Sequence, residues 1–365
     1  MPYVHGHLRG GEWVRPRYRV SRRALVGWVA AAAAVPTILA AGAALRHVGP
    51  VADPGTAATS ASSGKPAATS GLLSLYVEPQ AGMGPVYRMI SQARRTIRLA
   101  MYELSDPVAE QALAQAAGRH VRVEVLLDCN RERSRNQAAY SYLAAHGVRV
   151  TWADPRYTAT HEKVLTVDGQ AAAIMTGNMV AGDYAGTRDF LLVDRQPADV
   201  AAIDDTFAAD ASHRAVTPGE GIYLVWSPTS SQARLLSLLA GARHTLAVEN
   251  EEMDDPEVTA ALLAALRRHV QVTLVLTTNP EWESPLMQLQ AAGARVVELG
   301  DGAGALYIHA KVIVADAGTG AARVFVGSQN FSIASLRYNR EVGLMTSAAS
   351  IVSAAAAVIR SDAAD

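Results

Sequence analysis

Two segments of this 365-residue chain share an unusual spacing of polar residues within apolar runs. The first reads HEKVLTVDGQAAAIMTGNM from His161, and the second reads HAKVIVADAGTGAARVFVGSQN from His309. In both copies a lysine follows the histidine by two residues and an aspartate follows it by seven, and the histidines are 148 residues apart. Because such a pattern rarely arises twice by chance, it predicts a duplicated chain in which each copy supplies half of one site.

The histidine and lysine of each copy share one face of a strand, because alternate residues of a strand point the same way. A hydroxyl residue then lies two positions before an asparagine in both copies. The candidate phosphate-site residues are His161, Lys163, Thr176 and Asn178 in the first copy, and His309, Lys311, Ser328 and Asn330 in the second.

Two imidazoles, two ammonium groups and nearby hydroxyl and amide donors form a positive pocket suited to a phosphate. The chemistry that fits is displacement at phosphorus, in which one histidine attacks and the other protonates the leaving oxygen. The lysines and asparagines then stabilise the non-bridging oxygens. The sequence has no carboxylate or Cys/His set with convincing metal-ligand spacing, so neither a metal nor another cofactor is expected.

Carboxylates recur at matching places after both histidines. Asp189 lies 28 residues after His161, and Glu341 lies 32 after His309, which is again 28 once a four-residue insertion in the second copy is removed. A neutral histidine needs an orienting partner on its other ring nitrogen, and these two acids are the candidates. The motif aspartates Asp168 and Asp316 have the opposite strand parity, which indicates a structural role and not a catalytic one.

The rest of the two halves also aligns at an offset of 149. Each half predicts a strand, a helix and a second buried strand: Ile97 to Tyr102, Val108 to Ala117 and Val121 to Leu127, then Thr245 to Asn250, Pro256 to Arg268 and Val270 to Leu276. A further helix ends near Gly147 or Gly293, where glycine suits a C-cap. Alternating strands and helices predict an α/β layer architecture in each half.

The N-terminal region has a different character. Residues 1–23 are rich in arginine, residues 24–46 carry an uncharged apolar run long enough to span a bilayer, and residues 47–71 read as a flexible linker. The positive-inside rule keeps residues 1–23 in the cytoplasm and predicts export of the chain beyond the apolar run, either anchored by a transmembrane helix or secreted after signal-peptide cleavage. Two lobes are then expected at 72–210 and 211–365, with a net charge of about −7 over residues 72–365.

The paired motifs resemble those of the phospholipase D superfamily, whose signature is H-x-K-x4-D followed by G-S-x-N. The resemblance covers nearly all of residues 72–346, including Tyr102-Glu103 and Asn250-Glu251-Glu252-Met253. It implies a two-lobed α-β-α-β-α sandwich with the active site between the lobes on a pseudo-two-fold axis, and a covalent phosphohistidine. The first copy departs from the signature, because it has Met175-Thr176-Gly177-Asn178 where the family has Gly-Ser-x-Asn.

Carried over to matching positions, the resemblance implies that His161 is the nucleophile and His309 the general acid. It implies that Lys163, Lys311, Asn178 and Asn330 hold the phosphate, and that Asp189 and Glu341 orient the histidines. Nothing in the sequence itself distinguishes the two histidines, so the assignment of the nucleophile rests on the resemblance.

Three functional classes compete: a phospholipid phosphodiesterase or phosphatidyl transferase, a nuclease of the same superfamily, and a non-catalytic binding module. The third is weak, because both halves keep every motif residue. The acidic charge of residues 72–365 and the predicted membrane location favour a phospholipid substrate at a membrane surface over nucleic acid. A monomer is expected, and the sequence leaves open whether water or an alcohol accepts the phosphatidyl group.

Overall fold

The computed structural model describes residues 64–300, 302 and 304–364, together with four short strands between residues 3 and 18. These strands are β1 (Tyr3–Val4), β2 (His7–Arg9), β3 (Glu12–Val14) and β4 (Arg17–Tyr18), with β1 paired to β4 and β2 to β3. The uncharged apolar run at 24–45, most of 1–23 and most of 47–71 lie outside the described residues, so anchoring and export stay predictions. Within the described part of the chain, no helix is long and apolar enough to cross a membrane.

The ordered strands begin a few residues before the predicted start at Leu72. Strand β5 (Ala68–Ser70) pairs antiparallel with β6 (Leu73–Glu78), and the backbone N–H of Ala67 donates to the carbonyl of Leu75 at 2.7 Å. An edge strand is held by backbone hydrogen bonds, which small polar residues form as readily as apolar ones. Composition alone places this boundary too late, because it reports on side-chain burial only.

The first lobe contains a sheet with four principal helices. After β5 and β6, its elements are α1 (Gly84–Gln92), β7 (Thr96–Met101), β8 (Leu104–Ser105), α2 (Pro107–Gly118), β9 (Arg122–Leu127), α3 (Arg133–Ala145), β10 (Arg149–Trp152), β11 (Lys163–Val167), β12 (Ala171–Met175), β13 (Met179–Val180), β14 (Thr187–Asp194) and α4 (Pro197–Asp210).

The second lobe repeats this order of elements with local changes. Its elements are β15 (Leu224–Ser227), α5 (Ser231–Gly241), β16 (Thr245–Asn250), α6 (Pro256–Arg267), β17 (Gln271–Thr277), a 3-10 turn (Pro280–Trp282), α7 (Glu283–Ala291), β18 (Arg295–Leu299), β19 (Tyr307–Ile308), β20 (Lys311–Ala315), β21 (Arg323–Gly327), α8 (Ile333–Arg337), β22 (Glu341–Thr346) and α9 (Ala349–Asp362).

The two main sheets have the same strand order over seven strands, and the first sheet has β5 as an additional edge strand. The order is β10-β9-β7-β11-β12-β14-β6-β5 in the first lobe and β18-β17-β16-β20-β21-β22-β15 in the second. In each, the central strand that begins with the motif lysine (β11 or β20) lies antiparallel to a neighbouring strand that begins with a threonine (β7 or β16). The predicted duplication and mixed α/β class are confirmed.

Three hydrophobic clusters within residues 64–364 show how the layers pack. One lies between the first sheet and its helices α1–α3, and includes Leu99 and Leu113. Its counterpart lies between the second sheet and α5–α7, and includes Val248 and Leu262. The third is shared by both sheets and by α4 and α9, so the inner faces of the two lobes form one continuous core.

The motif aspartates each bind the start of a neighbouring strand. Asp168 accepts backbone hydrogen bonds from Arg94, Arg95 and Thr96, with the shortest at 2.7 Å. Asp316 accepts the equivalent set in the second lobe, with the shortest at 2.6 Å. Both aspartates have positive φ, at 56° and 51°, which turns the chain so that the carboxylate faces the three N–H groups. These contacts are structural.

We expect the Asp316→Asn variant to lose about 1–2 kcal/mol of unfolding free energy at pH 7, because hydrogen bonds to a charged acceptor are stronger than those to a neutral one. Burial raises the pKa of Asp316, but the backbone hydrogen bonds from His244, Thr245 and Arg243 together lower it by more than burial raises it. The net shift of the pKa is downward. A lowered carboxyl pKa stabilises the fold above the unfolded value and is lost as pH falls through the folded value.

Urea unfolding at pH 7 and at pH 3 measures this effect. The difference between Asp316→Asn and the wild type should shrink at the lower pH, and the exposed Asp205→Asn should show no difference at either pH. An equal loss at both pH values would contradict a charge-dependent role for Asp316.

Candidate active site

The segments before the two histidines each pair with the backbone of the opposite lobe, next to the strand that carries an acid. Residues 158–161 run beside 338–340, where the His161 N–H donates to the Arg340 carbonyl at 2.8 Å and Thr160 forms a parallel bridge with Arg340. In the same way β19 pairs parallel with the start of β14, and the His309 N–H donates to the Arg188 carbonyl at 3.2 Å. Backbone pairing therefore fixes each histidine against the other half of the chain.

The histidine–carboxylate pairs are also crossed. His161 Nδ1 lies 3.0 Å from Glu341 Oε2, and His309 Nδ1 lies 3.0 Å from Asp189 Oδ1. A carboxylate only accepts, so each Nδ1 carries a proton and each Nε2 is directed away from the acid. The spacings of 28 and 32 residues, equal once the insertion is removed, suggest pairing inside a half, but the structure pairs each acid with the histidine of the other half.

Each acid is itself held by hydroxyl or amide donors. Thr176 Oγ1 donates to Asp189 at 2.6 Å. Glu341 Oε1 accepts from Ser335 Oγ at 2.6 Å and from Asn339 Nδ2 at 2.9 Å. With both carboxylates buried and donated to in this way, their oxygens are fixed in position, and the imidazoles are fixed through them.

The hydroxyl residues of the two motifs do not face the pocket. The Thr176 hydroxyl donates its proton to Asp189, and its Oγ1 also accepts from the Phe190 N–H at 2.9 Å. Ser328 is fully buried, and its hydroxyl lies 3.3 Å from both the N–H and the carbonyl of Val342. The interpretation of Thr176 and Ser328 as phosphate ligands is therefore replaced: both tie the asparagine corner to the strand that carries the orienting acid.

Gly177 accounts for the departure from the family signature in the first copy. A Cβ at this position would lie 2.7 Å from the Asp189 carboxylate carbon. In the second copy the close approach falls at Gly327, where a Cβ would lie 2.5 Å from the Gly343 Cα. Both corners need a glycine where another chain segment comes close, but at different positions of the motif.

The two lysines lie under the histidines and are fully buried. Lys163 Nζ donates to the His161 carbonyl at 2.9 Å, and Lys311 Nζ donates to the His309 carbonyl. Burial, and after it the positive charge of Lys311, lower the pKa of Lys163 to about 7. An arriving phosphate would reverse this shift, because an anion next to the ammonium favours the charged form.

The environment of His161 favours the neutral imidazole. Burial, followed by the positive charge of Lys163, lowers the pKa of His161 to about 4, against the opposing influence of Glu341. A neutral ring with its proton on Nδ1 leaves the Nε2 lone pair available for attack.

The asparagines of the two corners present unused polar atoms. The side-chain oxygens of Asn178 and Asn330 are buried and have no hydrogen-bond partner within residues 64–364. An amide oxygen only accepts hydrogen bonds, so these two atoms cannot bind a phosphate oxygen, which would have to accept from the amide nitrogens instead. No group of three or more His, Cys, Asp or Glu side chains suited to a metal ion occurs among the described residues.

Sequence reasoning assigned no role to Tyr102 or Glu251, which occupy equivalent positions in the two halves. The Tyr102 ring meets the His161 ring edge-on at 4.5 Å, and Lys163 Nζ lies 4.9 Å from its centroid. Glu251 instead lies next to His309 and Lys311, with its Oε2 2.8 Å from Lys311 Nζ. The offset of 149 could have identified both residues, because it aligns Tyr102 with Glu251. An aromatic residue in one half and an acid in the other is a difference close to the site.

A family model described as "Cardiolipin synthase, PLD-like domain" matches residues 86–211 and again residues 235–363, which together are more than half of the chain. No curated protein sequence matches the chain. The two matched segments correspond to the two lobes of the fold.

Solved structures similar to this chain have the same architecture. Polyphosphate kinase from Porphyromonas gingivalis matches with a TM-score of 0.62 and 18% identity over 80% of this chain, which spans about half (50%) of that kinase. Phosphatidylserine synthase from Haemophilus influenzae Rd KW20 matches with a TM-score of 0.61 and 10% identity, over 80% of this chain and 85% of that one. These likenesses confirm the two-lobed fold, and at such identities they establish the fold alone.

The crossed pairs predict which histidine each acid controls. We expect Glu341→Gln to shift the Nδ1 proton resonance of His161 and leave that of His309 in place, while Asp189→Asn does the reverse. If the site cleaves a phosphodiester, each variant should also lose roughly 10²-fold or more in kcat, because the amide no longer fixes the imidazole tautomer. Nitrogen-15 NMR of labelled histidines measures the first effect. Finding the shifts on the histidine of the same half would refute the crossed arrangement.

The lowered pKa of His161 predicts a titration far below that of an ordinary histidine. His161 should stay neutral from pH 8 down to about pH 4, and protonate as the pH falls through that value. Lys163→Met should raise the midpoint, because it removes the neighbouring positive charge. Ring-proton NMR titration of both proteins, with the exposed Arg133→Met as control, measures it. A wild-type midpoint near 6.5 would contradict the burial argument.

Proposed function

Because the chain belongs to the family of PLD-like domains, we propose that it is a phospholipase D-type phosphodiesterase that hydrolyses or transfers the phosphatidyl group of phospholipids. The observation that carries this proposal is the pair of acid-held histidines, each above a fully buried lysine. Two imidazoles, each with Nδ1 donating to a carboxylate, leave two Nε2 atoms for proton transfer or attack at one phosphorus.

In the proposed first step, His161 Nε2 attacks phosphorus and an N–P bond forms as the bond to the leaving oxygen breaks. His309 gives its Nε2 proton to that oxygen, so the leaving group departs as a neutral alcohol. The ammonium groups of Lys163 and Lys311 and the corners at Asn178 and Asn330 bind the non-bridging oxygens, where negative charge develops.

In the second step His309, now neutral, takes a proton from an incoming hydroxyl, and the oxygen displaces His161 from phosphorus. Water as the incoming group gives hydrolysis, and an alcohol gives phosphatidyl transfer. The neutral state of His161 supports its assignment as the nucleophile, since a protonated imidazole cannot attack.

The charge of the chain supports a phospholipid over a nucleic acid. Proteins that bind nucleic acid draw most of their affinity from Lys and Arg side chains that neutralise several phosphates, and such domains are usually basic. Residues 72–365 carry about −7. The predicted membrane tether would also bring phospholipid to the site.

The surface aromatics support the same choice. Trp152 stacks on Tyr140 at 4.6 Å and also contacts the Arg133 guanidinium at 4.5 Å, so its ring is covered and offers no platform for a base. Tyr307 and Tyr338, which are 37% and 56% exposed, lie on the segments that carry the site. Tyrosine is well suited to a lipid–water boundary, where its ring is apolar and its hydroxyl is wet.

The descriptions of a matching family model and of a similar structure agree with a phospholipid substrate. The matching family model is described as a cardiolipin synthase domain, and one structural neighbour is a phosphatidylserine synthase. The second candidate function is a nuclease, because the same site chemistry acts on any phosphodiester.

We expect the purified protein to release head group from phosphatidylcholine or phosphatidylethanolamine vesicles without added metal and in the presence of chelator. His161→Ala and His309→Ala should each lower the rate by at least about 10³-fold, since residues that act as one unit are not additive. Mass spectrometry of His309→Ala, quenched in alkaline denaturant, should detect the phosphatidyl group on His161.

Single-stranded DNA at the same enzyme concentration serves as the competing substrate, and the exposed His146→Ala serves as the control variant. Cleavage of DNA without lipid turnover would replace the lipid proposal with the nuclease. Loss of activity in chelator, or full activity in both histidine variants, would overturn the mechanism.

A further inference from the structure

The two halves of the site differ most at Glu251, which follows strand β16. Its Oε2 accepts from Lys311 Nζ at 2.8 Å and from Asn330 Nδ2 at 3.4 Å, and lies 3.5 Å from His309 Nε2. Its Oε1 accepts from the Tyr307 hydroxyl at 2.9 Å. One carboxylate oxygen thus lies against three groups of the second half that the proposed mechanism assigns to a phosphoryl group.

The first half has no carboxylate at the matching position. Tyr102 occupies it, and its ring lies beside His161 and Lys163. Each ammonium donates to the carbonyl of its motif histidine, but that of Lys163 otherwise lies over an aromatic ring, while that of Lys311 lies against an anion. The donors of the second half are therefore less available to a phosphoryl group than the equivalent donors of the first half.

We propose that Glu251 is an internal ligand of the phosphate subsite, which an incoming phosphoryl group must displace from Lys311, Asn330 and His309. This inference rests on the proposed function only in that the site binds a phosphoryl group, whatever the ester. A phosphodiester and a carboxylate are both anions, and they cannot share these donors at hydrogen-bond distance without strong repulsion. Substrate would dock first against Lys163 and Asn178 and complete its contacts as Glu251 withdraws.

The same contact gives the two histidines different surroundings in the unliganded site. Attack requires a free Nε2 lone pair aimed at phosphorus. His309 Nε2 lies 3.5 Å from the Glu251 carboxylate, whereas the ring of His161 forms a T-shaped contact with the ring of Tyr102. Glu251 thus makes the two histidines unequal before substrate binds, and it does not decide which of them attacks once it has withdrawn.

A purely structural role for Glu251 makes a different prediction. Lys311 is fully buried, and a buried ammonium needs a counter-charge. If Glu251 only neutralised Lys311, then its removal would loosen the site and weaken the binding of an anion. If Glu251 is an internal ligand, then its removal frees donors and strengthens that binding.

Isothermal titration of the full-length protein with inorganic phosphate, at pH 7.5 and constant ionic strength, separates the two. We expect Glu251→Gln to bind phosphate at least about tenfold more tightly than the wild type, a change of about 1.4 kcal/mol. Tyr307→Phe, which removes the hydrogen bond to Oε1, should give a smaller gain in the same direction. The control is Glu257→Gln at an exposed position on α6, which should bind phosphate as the wild type does. Within residues 64–364, the Glu257 carboxylate forms hydrogen bonds only with Arg337 and Gln232.

Lys163→Met identifies the site, because it should abolish phosphate binding in the Glu251→Gln background. Equal or weaker binding by folded Glu251→Gln would overturn the internal-ligand proposal while leaving the proposed function intact. If Glu251→Gln does not fold, unchanged or weaker binding by Tyr307→Phe would overturn it. Absence of phosphate binding in every variant would count against the phosphoryl site itself, and hence against both proposals.

Discussion

The crossed histidine–carboxylate pairs are the interaction on which the rest of this structure depends. Each imidazole is fixed by an acid on the opposite lobe, and each motif segment is hydrogen-bonded to the backbone at or next to the strand that carries that acid. Neither lobe contains a complete histidine site by itself. Duplication in this chain therefore produced two halves that are interlocked and not two sites that work side by side.

Buried ion pairs reinforce the crossing at the residue before each acid. Arg188 binds Asp362 at the end of α9, with one contact at 2.8 Å, and Arg340 binds Asp210 at the end of α4, with one at 2.9 Å. A buried charge that loses its partner is strongly destabilising, so these pairs oppose separation of the lobes. The last helix of each lobe therefore holds the strand that orients the histidine, and packing of the shared core is coupled to the geometry of the site.

Much of the fold follows from local patterns that the sequence displays. The strand period predicted that each histidine shares a strand with its lysine, but β11 and β20 begin at Lys163 and Lys311, so the histidines precede both strands. The structural role predicted for Asp168 and Asp316 agrees with the backbone hydrogen bonds that they accept. Helix ends near Gly147 and Gly293 were visible because glycine adopts the positive φ that both residues have, at 80° and 100°. Each of these features depends on neighbours along the chain.

The crossing was hidden because the spacing from histidine to acid, once the insertion is removed, is the same within each half, and equal spacing carries no information about which half is the partner. The roles of Thr176 and Ser328 were misread for a related reason. A hydroxyl near a site can bind a ligand or a neighbouring part of the protein, and the sequence does not distinguish the two. The structure shows that these hydroxyls form hydrogen bonds with the protein. The role of Glu251 could be found only from a difference between the two halves, because a search for matching residues passes over it.

That difference bears on which substrates such a site can use. If a carboxylate must leave Lys311 before a phosphoryl group can bind fully, a small phosphodiester with few other contacts binds weakly. A substrate with additional contacts remote from phosphorus can supply the binding energy that displaces Glu251, and a substrate concentrated at a membrane surface gains further from proximity. The internal ligand thus acts against small free phosphodiesters as a class. It leaves the choice among larger substrates to the surface around Tyr307 and Tyr338 and to the membrane location that the sequence predicts, where the two candidate functions differ.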